Sequence, residues 1–167
     1  MHGRGEGFES PILHSNQLGG LMELQTIGSK VLREKSKRVA SIDDALRSFC
    51  YTMAKVMREK NGIGISAPQV GVNKRIIIVD KDGNDWILIN PEIVWSSDLL
   101  IDFEEGCLSV PGVFDNVKRP ESIKIKYRNA KGKPVLETIN GLMARVVQHE
   151  IDHLDGILFV DYLEKEK

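Results

Sequence analysis

Apolar residues recur every three or four positions in two parts of the chain, which is the spacing of one face of an α-helix. In the first part, residues 41–60, the repeated positions are Leu46, Phe49, Met53, Val56 and Met57. Ser41 and Asp44 have the spacing of a capping box, and Asn61-Gly62 is a typical stop signal. We therefore predict a helix between these signals, with its apolar stripe in the core.

The second helical pattern, residues 140–155, is apolar around much of its circumference. Its larger apolar side chains are Leu142, Val146, Val147, Ile151 and Leu154. Asn140 is a suitable N-cap, and Gly156 is a suitable C-terminal stop. A helix with so little polar surface is expected at the centre of a fold.

Between the two helices the period changes to two, which indicates β-strands. The predicted strands are residues 75–80, 86–90, 123–128 and 134–139. The first two are joined through Asp82-Gly83-Asn84, a tight-turn sequence. Short strands with few helices between them favour an α+β fold, in which mainly antiparallel sheets pack around the central helix.

The length of the chain, 167 residues, is enough for one domain with a substantial core. Residues 1–21 are rich in Gly and show no period, so we interpret them as an expression leader or a disordered tail. Residues 22–167 then form a single domain.

The charge balance narrows the range of partners. Lys and Arg number 23 and Asp and Glu 24, a net charge of -1 that disfavours a dedicated nucleic-acid binder. No apolar run approaches the roughly 20 residues that a membrane helix needs, so we expect no membrane partner. The 2 cysteines cannot form a disulfide framework, which favours a reducing compartment, the cytoplasm.

The predicted central helix carries the sequence Gln148-His149-Glu150-Ile151-Asp152-His153. Residues four apart lie one turn apart on the same helix face, about 6 Å along the axis. His149 and His153 can therefore bind one divalent cation. Glu150 lies on the flank, where it can reach a metal-bound water without being a ligand.

A metal site needs a third protein ligand. No His follows His153, and Phe159 stands where one group of H-E-x-x-H peptidases has its third His. Cys107 is the leading upstream candidate, because it lies beside Gly106 before a Ser/Pro turn and a thiolate binds borderline or soft divalent ions strongly. Cys50 lies in the first helix and is interpreted as a core residue.

A third unusual segment is residues 61–71, which combines Gly, small residues and a Pro. This composition suits a tight loop whose backbone can lie beside a ligand. The amide of Gln69, within this segment, could donate a hydrogen bond into a site.

Together these segments resemble the peptide deformylase family. The family motifs are, in order, a G-φ-G-φ-A-A-x-Q loop, an E-G-C-φ-S strand end and a Q-H-E-φ-D-H helix. In this chain they correspond to residues 62–69, 105–109 and 148–153. The resemblance spans roughly Met22 to Leu163, and three ordered motifs are far more specific than any one of them.

The resemblance implies a reaction, a metal and the residues that serve them. The reaction removes the formyl group from the N-terminal formyl-methionine of newly made polypeptides and releases formate. The implied ligands of one divalent metal, with a water at the fourth position, are Cys107, His149 and His153. Many members use Fe²⁺ in the cell and accept Zn²⁺, Ni²⁺ or Co²⁺ in preparation.

The implied catalytic groups are Glu150 as general acid and base, and Gln69 with the backbone N–H of Leu108 as oxyanion donors. The residues implied to contact the substrate are Ile63, Gly64, Gly106, Leu142 and Val146.

Two features depart from the family pattern. Ser66 replaces the first Ala of the loop motif; its hydroxyl needs a partner if buried, and we expect little effect on catalysis. The chain stops at Lys167, without the longer C-terminal helix that can serve ribosome docking in many bacterial members. Ribosome docking is therefore a weaker expectation for this chain than the chemistry.

Two alternatives stay open at this point. One is a zinc metallopeptidase that cleaves internal peptide bonds with the H-E-x-x-H helix. The other is a non-enzymatic domain with a closed structural site formed by Cys50, Cys107, His149 and His153.

Overall fold

The computed structural model describes residues 22–165, so the expectation for residues 1–21 lies outside the described residues. The helices are α1 (Asp44–Glu59), α2 (Gly141–Leu154) and α3 (Val160–Glu164), with 3₁₀ helices at Lys30–Arg33 and Ala67–Val70. The strands are β1 (Gly64–Ser66), β2 (Ile76–Lys81), β3 (Asn84–Ser96), β4 (Leu100–Cys107), β5 (Val110–Pro120), β6 (Ser122–Arg128) and β7 (Pro134–Asn140). Over the described part of the chain, no helix combines the length and apolarity needed to cross a membrane.

All strand pairs in the two sheets are antiparallel. Five strands form one sheet in the order β1-β2-β3-β6-β7, and β4 pairs with β5 in a separate two-stranded sheet. The α+β prediction is confirmed, and the four predicted strands correspond to β2, β3, β6 and β7.

The five-stranded sheet has a helix on each face, which explains why β2 is apolar throughout. Ile76 and Ile78 belong to the core cluster that contains the apolar stripe of α1. Ile77 and Val79 point the other way, into the cluster that contains Val147 of α2. Because α2 contacts this sheet and also β5, the prediction of a central helix is confirmed.

The helix ends agree only in part with the sequence signals. Asp43, rather than Ser41, caps α1: its Oδ1 accepts a hydrogen bond from the backbone N–H of Leu46 at 2.8 Å. The predicted Ser41–Asp44 box is wrong because Asp43 is the last extended residue before the helix. Asn140 occupies the N-cap of α2, but its side chain makes no capping hydrogen bond.

Two elements near the motifs were not predicted as they occur. The segment 61–71, expected to be a loop, contains strand β1 and the 3₁₀ helix Ala67–Val70. The β4–β5 hairpin has many exposed polar positions and an irregular register between Gly106 and Cys107, so no clear alternation marks it in the sequence.

We expect the stop of α2 at Gly156 to require glycine. Its φ is +75°, and a Cβ there would lie 2.6 Å from the carbonyl oxygen of Arg33. Gly156→Ala should lower the free energy of unfolding by roughly 2–4 kcal/mol, because left-handed strain and a backbone clash add together. Urea unfolding of the metal-loaded protein measures this loss.

The matched control is Gly83→Ala. Gly83 has φ +82° with nothing within 4 Å of the added Cβ, so only the conformational cost of about 1–2 kcal/mol applies. Equal losses in the two variants would contradict the proposed clash with Arg33.

Candidate metal centre and active site

Three side chains from two separate elements meet where β4 ends beside α2. They are Cys107, His149 and His153, whose ligand atoms all lie within 4.8 Å of one another. Cys107 Sγ is 3.3 Å from His153 Nε2. A tetrahedral ion bonded to sulfur and imidazole nitrogen holds those atoms roughly 3.6 Å apart, so this donor set fits a divalent metal.

Glu105 fixes the orientation of the first histidine ring. His149 Nδ1 donates to Glu105 Oε1 at 2.8 Å, so Nε2 is the ring nitrogen that can bind an ion. Burial alone would raise the pKa of Glu105, but hydrogen bonds from His149 and Arg119 outweigh it and lower that pKa to about 2. Glu105 is therefore a buried carboxylate anion at neutral pH.

Two arginines complete the surroundings of Glu105. Arg119 donates to it from Nε at 2.6 Å and from Nη2 at 2.9 Å, and Arg145 donates from Nη1 at 2.6 Å. Arg145 also donates to the carbonyl oxygens of Val117 and Ile101. This ion network joins α2 to both strands of the hairpin that carries Cys107.

The two histidines differ in their proton affinity. Burial lowers the pKa of His153 well below its ordinary value, so this ring is neutral and keeps a lone pair for a metal. Burial acts in the same direction on His149, but hydrogen bonds to Cys107 and Glu105 raise its pKa to about 10. An ion that binds His149 must therefore displace a proton.

Glu150 lies beside the three potential metal ligands but is not one of them. Its carboxylate is buried, and Oε2 has no hydrogen-bond partner among residues 22–165. Burial raises the pKa of Glu150 to about 7, which is the range that suits a general acid and base at neutral pH. A Cβ at Gly64 would lie 2.8 Å from both Glu150 Oε1 and Val146 Cγ1, so a larger residue there would displace one or both side chains.

Gln69 presents its amide nitrogen to the same centre. Its Oε1 accepts hydrogen bonds from Ser66, while Nε2 lies 3.7 Å from Cys107 Sγ and donates to Ser109 Oγ at 3.2 Å. The oxyanion roles expected for Gln69 and the backbone N–H of Leu108 remain predictions at this stage.

A cleft of about 590 Å³ opens onto these groups. It is lined by all five residues expected to contact a substrate, namely Ile63, Gly64, Gly106, Leu142 and Val146. Leu142 is 53% exposed, so it belongs to the cleft wall and not to the core stripe that the sequence pattern suggested.

Sequence reasoning missed several residues around this cleft. The hairpin adds Phe103, Pro111, Gly112 and Phe114 to its lining, and α2 adds Arg145. Arg145 did leave a signal, because it is a charged residue four positions before His149 on a helix predicted to be central. The hairpin residues carry no comparable local signal.

Cys50 does not belong to this centre. It is buried with the α1 core, and the group of potential ligands contains only Cys107 as a cysteine. The alternative of a closed Cys₂His₂ structural site is therefore wrong.

Comparison with known proteins gives one family. A family model described as Polypeptide deformylase matches residues 21–167. The peptide deformylase of a Picosynechococcus species is 50% identical over 150 residues, covering 87% of this chain and 80% of that protein. Peptide deformylase 2 of Gloeobacter violaceus is 48% identical over 151 residues, with the same two coverages.

Solved structures agree with these sequence matches. The crystal structure of a peptide deformylase from Synechococcus elongatus in complex with actinonin has a TM-score of 0.83 and 44% identity, covering 87% of this chain and 80% of that chain. A probable peptide deformylase from synechococcus phage S-SSM7 has a TM-score of 0.80 and 47% identity, covering 84% and 99%.

We expect Glu105→Gln to weaken both the fold and the metal site. The substitution leaves Arg145 buried without its counter-charge and Arg119 with Asp152 alone, which should cost about 3–5 kcal/mol of unfolding free energy. Loss of the carboxylate that orients His149 should weaken metal binding about 10–100-fold. Denaturant unfolding and competition with a chelator measure the two effects.

Glu92→Gln is the matched control, because the pair between Glu92 and Lys126 is about half exposed on both sides. Its unfolding free energy should change by no more than about 0.5 kcal/mol. Wild-type metal affinity in Glu105→Gln would show that Glu105 does not orient the ligand.

Proposed function

The chain belongs to the peptide deformylase family and acts as a peptide deformylase, and we propose that it does so at the centre formed by Cys107, His149 and His153. Its substrates are newly made polypeptides that begin with formyl-methionine, and its products are formate and a free N-terminus. The observation that carries this proposal is the meeting of three metal donors with buried Glu150 at one cleft. We therefore propose deformylation, and not cleavage of internal peptide bonds, as the reaction of the H-E-x-x-H helix.

Cys107, His149 and His153 would hold one divalent ion, which we propose is Fe²⁺ in the cell. Mixed thiolate and imidazole donors also accommodate Zn²⁺, Ni²⁺ or Co²⁺ in a preparation. When bound, the ion supplies Lewis-acid chemistry that acidifies the attacking water and polarises the formyl carbonyl. A thiolate ligand needs a reducing environment, and this supports a cytoplasmic location.

Glu150 moves the proton during hydrolysis. Its carboxylate accepts a proton from water as the water oxygen bonds to the formyl carbon. The same carboxyl then gives this proton to the amide nitrogen as the C–N bond breaks, which yields the amine and formic acid. The second proton of the water leaves the acid to solvent, and formate remains. A pKa of about 7 allows Glu150 to take up and release a proton at neutral pH.

Gln69 and Leu108 stabilise the charge that develops on the formyl oxygen. Gln69 Nε2 faces the sulfur of Cys107, and Leu108 follows that cysteine directly in the chain. N–H donors placed where a negative charge develops lower the barrier because they are already oriented before the reaction begins.

The substrate chain lies along the edge of β1 and the end of β4. Ile63, Gly64 and Gly106 bring backbone to the cleft, while Leu142 and Val146 offer apolar contacts to the methionine side chain. The two glycines are tightly packed: a Cβ at Gly106 would lie 2.5 Å from the ring of Phe114. Neither glycine has a side chain of its own, so the backbone at these positions stays close to the cleft.

Formate release by anaerobically purified protein tests the proposed reaction and metal. Formyl-methionyl peptides should release formate, whereas the same peptides without the formyl group should remain intact. Elemental analysis of the same preparation should find about one iron per chain. Cleavage of internal peptide bonds, without formate release, would contradict the proposal.

Glu150→Gln should retain the metal and lose turnover by at least about 10²-fold, because an amide cannot carry the proton. Elemental analysis and kcat measurements report the two properties. Glu59→Gln, at the exposed end of α1, is the control and should behave as wild type. Turnover close to wild type in Glu150→Gln would show that Glu150 does not transfer the proton.

A further inference from the structure

Ser66 is a buried polar residue directly beside the proposed catalytic groups. It is 0% exposed, and it occupies the position where the family loop motif has Ala. Its Oγ donates to Gln69 Oε1 at 3.1 Å, and its backbone N–H donates to the same oxygen at 2.8 Å. Two donors from one residue therefore converge on the Gln69 carboxamide.

The backbone N–H of Ser66 determines which end of the carboxamide faces the centre. With Oε1 held by this donor, Nε2 is directed towards Ser109 Oγ and Cys107 Sγ. In the opposite amide orientation, Nε2 would face that N–H, and the buried N–H would lose its acceptor. The hydroxyl, which can donate or accept, adds a second bond to Oε1 and so restrains the carboxamide in the observed orientation.

We propose that Ser66 is a positioning residue, whose hydroxyl holds the Gln69 amide nitrogen towards the reacting formyl oxygen. This inference rests on the proposed role of Gln69 as an oxyanion donor. It revises the expectation that the Ala-to-Ser departure has little effect on catalysis.

The same hydroxyl also caps a 3₁₀ helix, because it accepts a hydrogen bond from the backbone N–H of Gln69. Ser66 and Gln69 are the N-cap and the third residue of the 3₁₀ helix Ala67–Val70, which is the S-x-x-Q spacing of a capping box. A capping contribution changes the free energy of unfolding. If Ser66 acted only as a cap, Ser66→Ala would change kcat by the same factor with or without the Gln69 side chain.

A double-mutant cycle on the metal-loaded enzyme tests the inference. Ser66→Ala leaves the backbone donor in place, and we expect kcat to fall roughly three- to tenfold, the value of one hydrogen bond. KM should change by less than about twofold. Gln69→Ala should lower kcat about 10²–10³-fold, and Ser66→Ala should cause no further loss in that background.

Ser36→Ala is the matched control. Ser36 is also buried, and its Oγ has no hydrogen-bond partner within residues 22–165. This variant should keep wild-type kcat in both backgrounds. Bound metal and the unfolding midpoint are measured on every variant, so that altered folding is detected separately.

The amide signals of Gln69 give a readout that is independent of activity. In ¹⁵N–¹H spectra of the zinc-loaded protein, the pair of side-chain signals lost in Gln69→Ala identifies this group. Ser66→Ala should shift both signals and speed their exchange with water. Unchanged signals would overturn the inference.

The kinetic outcomes separate the two proposals. If Gln69→Ala lowers kcat but Ser66→Ala does not, the positioning role is overturned and the oxyanion role of Gln69 stands. An equal loss from Ser66→Ala in both backgrounds also overturns the positioning role. If Gln69→Ala leaves kcat unchanged, both roles are overturned.

Discussion

The metal centre depends on the hydrogen bonds that the buried carboxylate of Glu105 accepts from both sides of the site. The two histidine ligands lie on α2, whereas the cysteine ligand lies at the end of a hairpin outside the main sheet. Glu105 binds Arg119 of β5, and Arg145 and His149 of α2. A buried anion of this kind is stable only when its partners are complete, so the hairpin and the helix are held in one relative position.

Two neighbouring glutamates show how the surroundings decide the role of a carboxyl group. Glu105 accepts hydrogen bonds from two guanidinium groups and one imidazole, and its pKa falls to about 2. Glu150 is equally buried, but its Oε2 has no donor among the described residues and its pKa rises to about 7. One group is a permanent anion that orients a ligand, and the other can exchange a proton.

The apolar packing supplies the rigid frame for this chemistry. The sheet is covered by α1 on one face and α2 on the other, and α2 buries residues on most of its circumference. The positions of His149 and His153 are therefore fixed by a packed helix. The strand β1 approaches Glu150 through Gly64, where any larger residue would meet the carboxylate.

Much of the fold and of the site could be predicted from local patterns alone. Periods of two and 3.6 residues identified four strands and two helices, and the i, i+4 spacing of His149 and His153 identified the metal-binding helix. Each of these signals lies within a few neighbouring residues. The local context of Cys107 made it the leading candidate for the third ligand, and the order of the three motifs then indicated the family.

Only the tertiary structure showed how these parts are joined. Glu105 meets Arg145 across 40 residues of sequence and His149 across 44, and no local period records contacts of that range. The β4–β5 hairpin and the hydrogen bonds from Ser66 to Gln69 were likewise absent from the predictions. The sequence therefore determined two helices, four strands and the candidate ligands, whereas long-range pairing of buried charges decided where they meet.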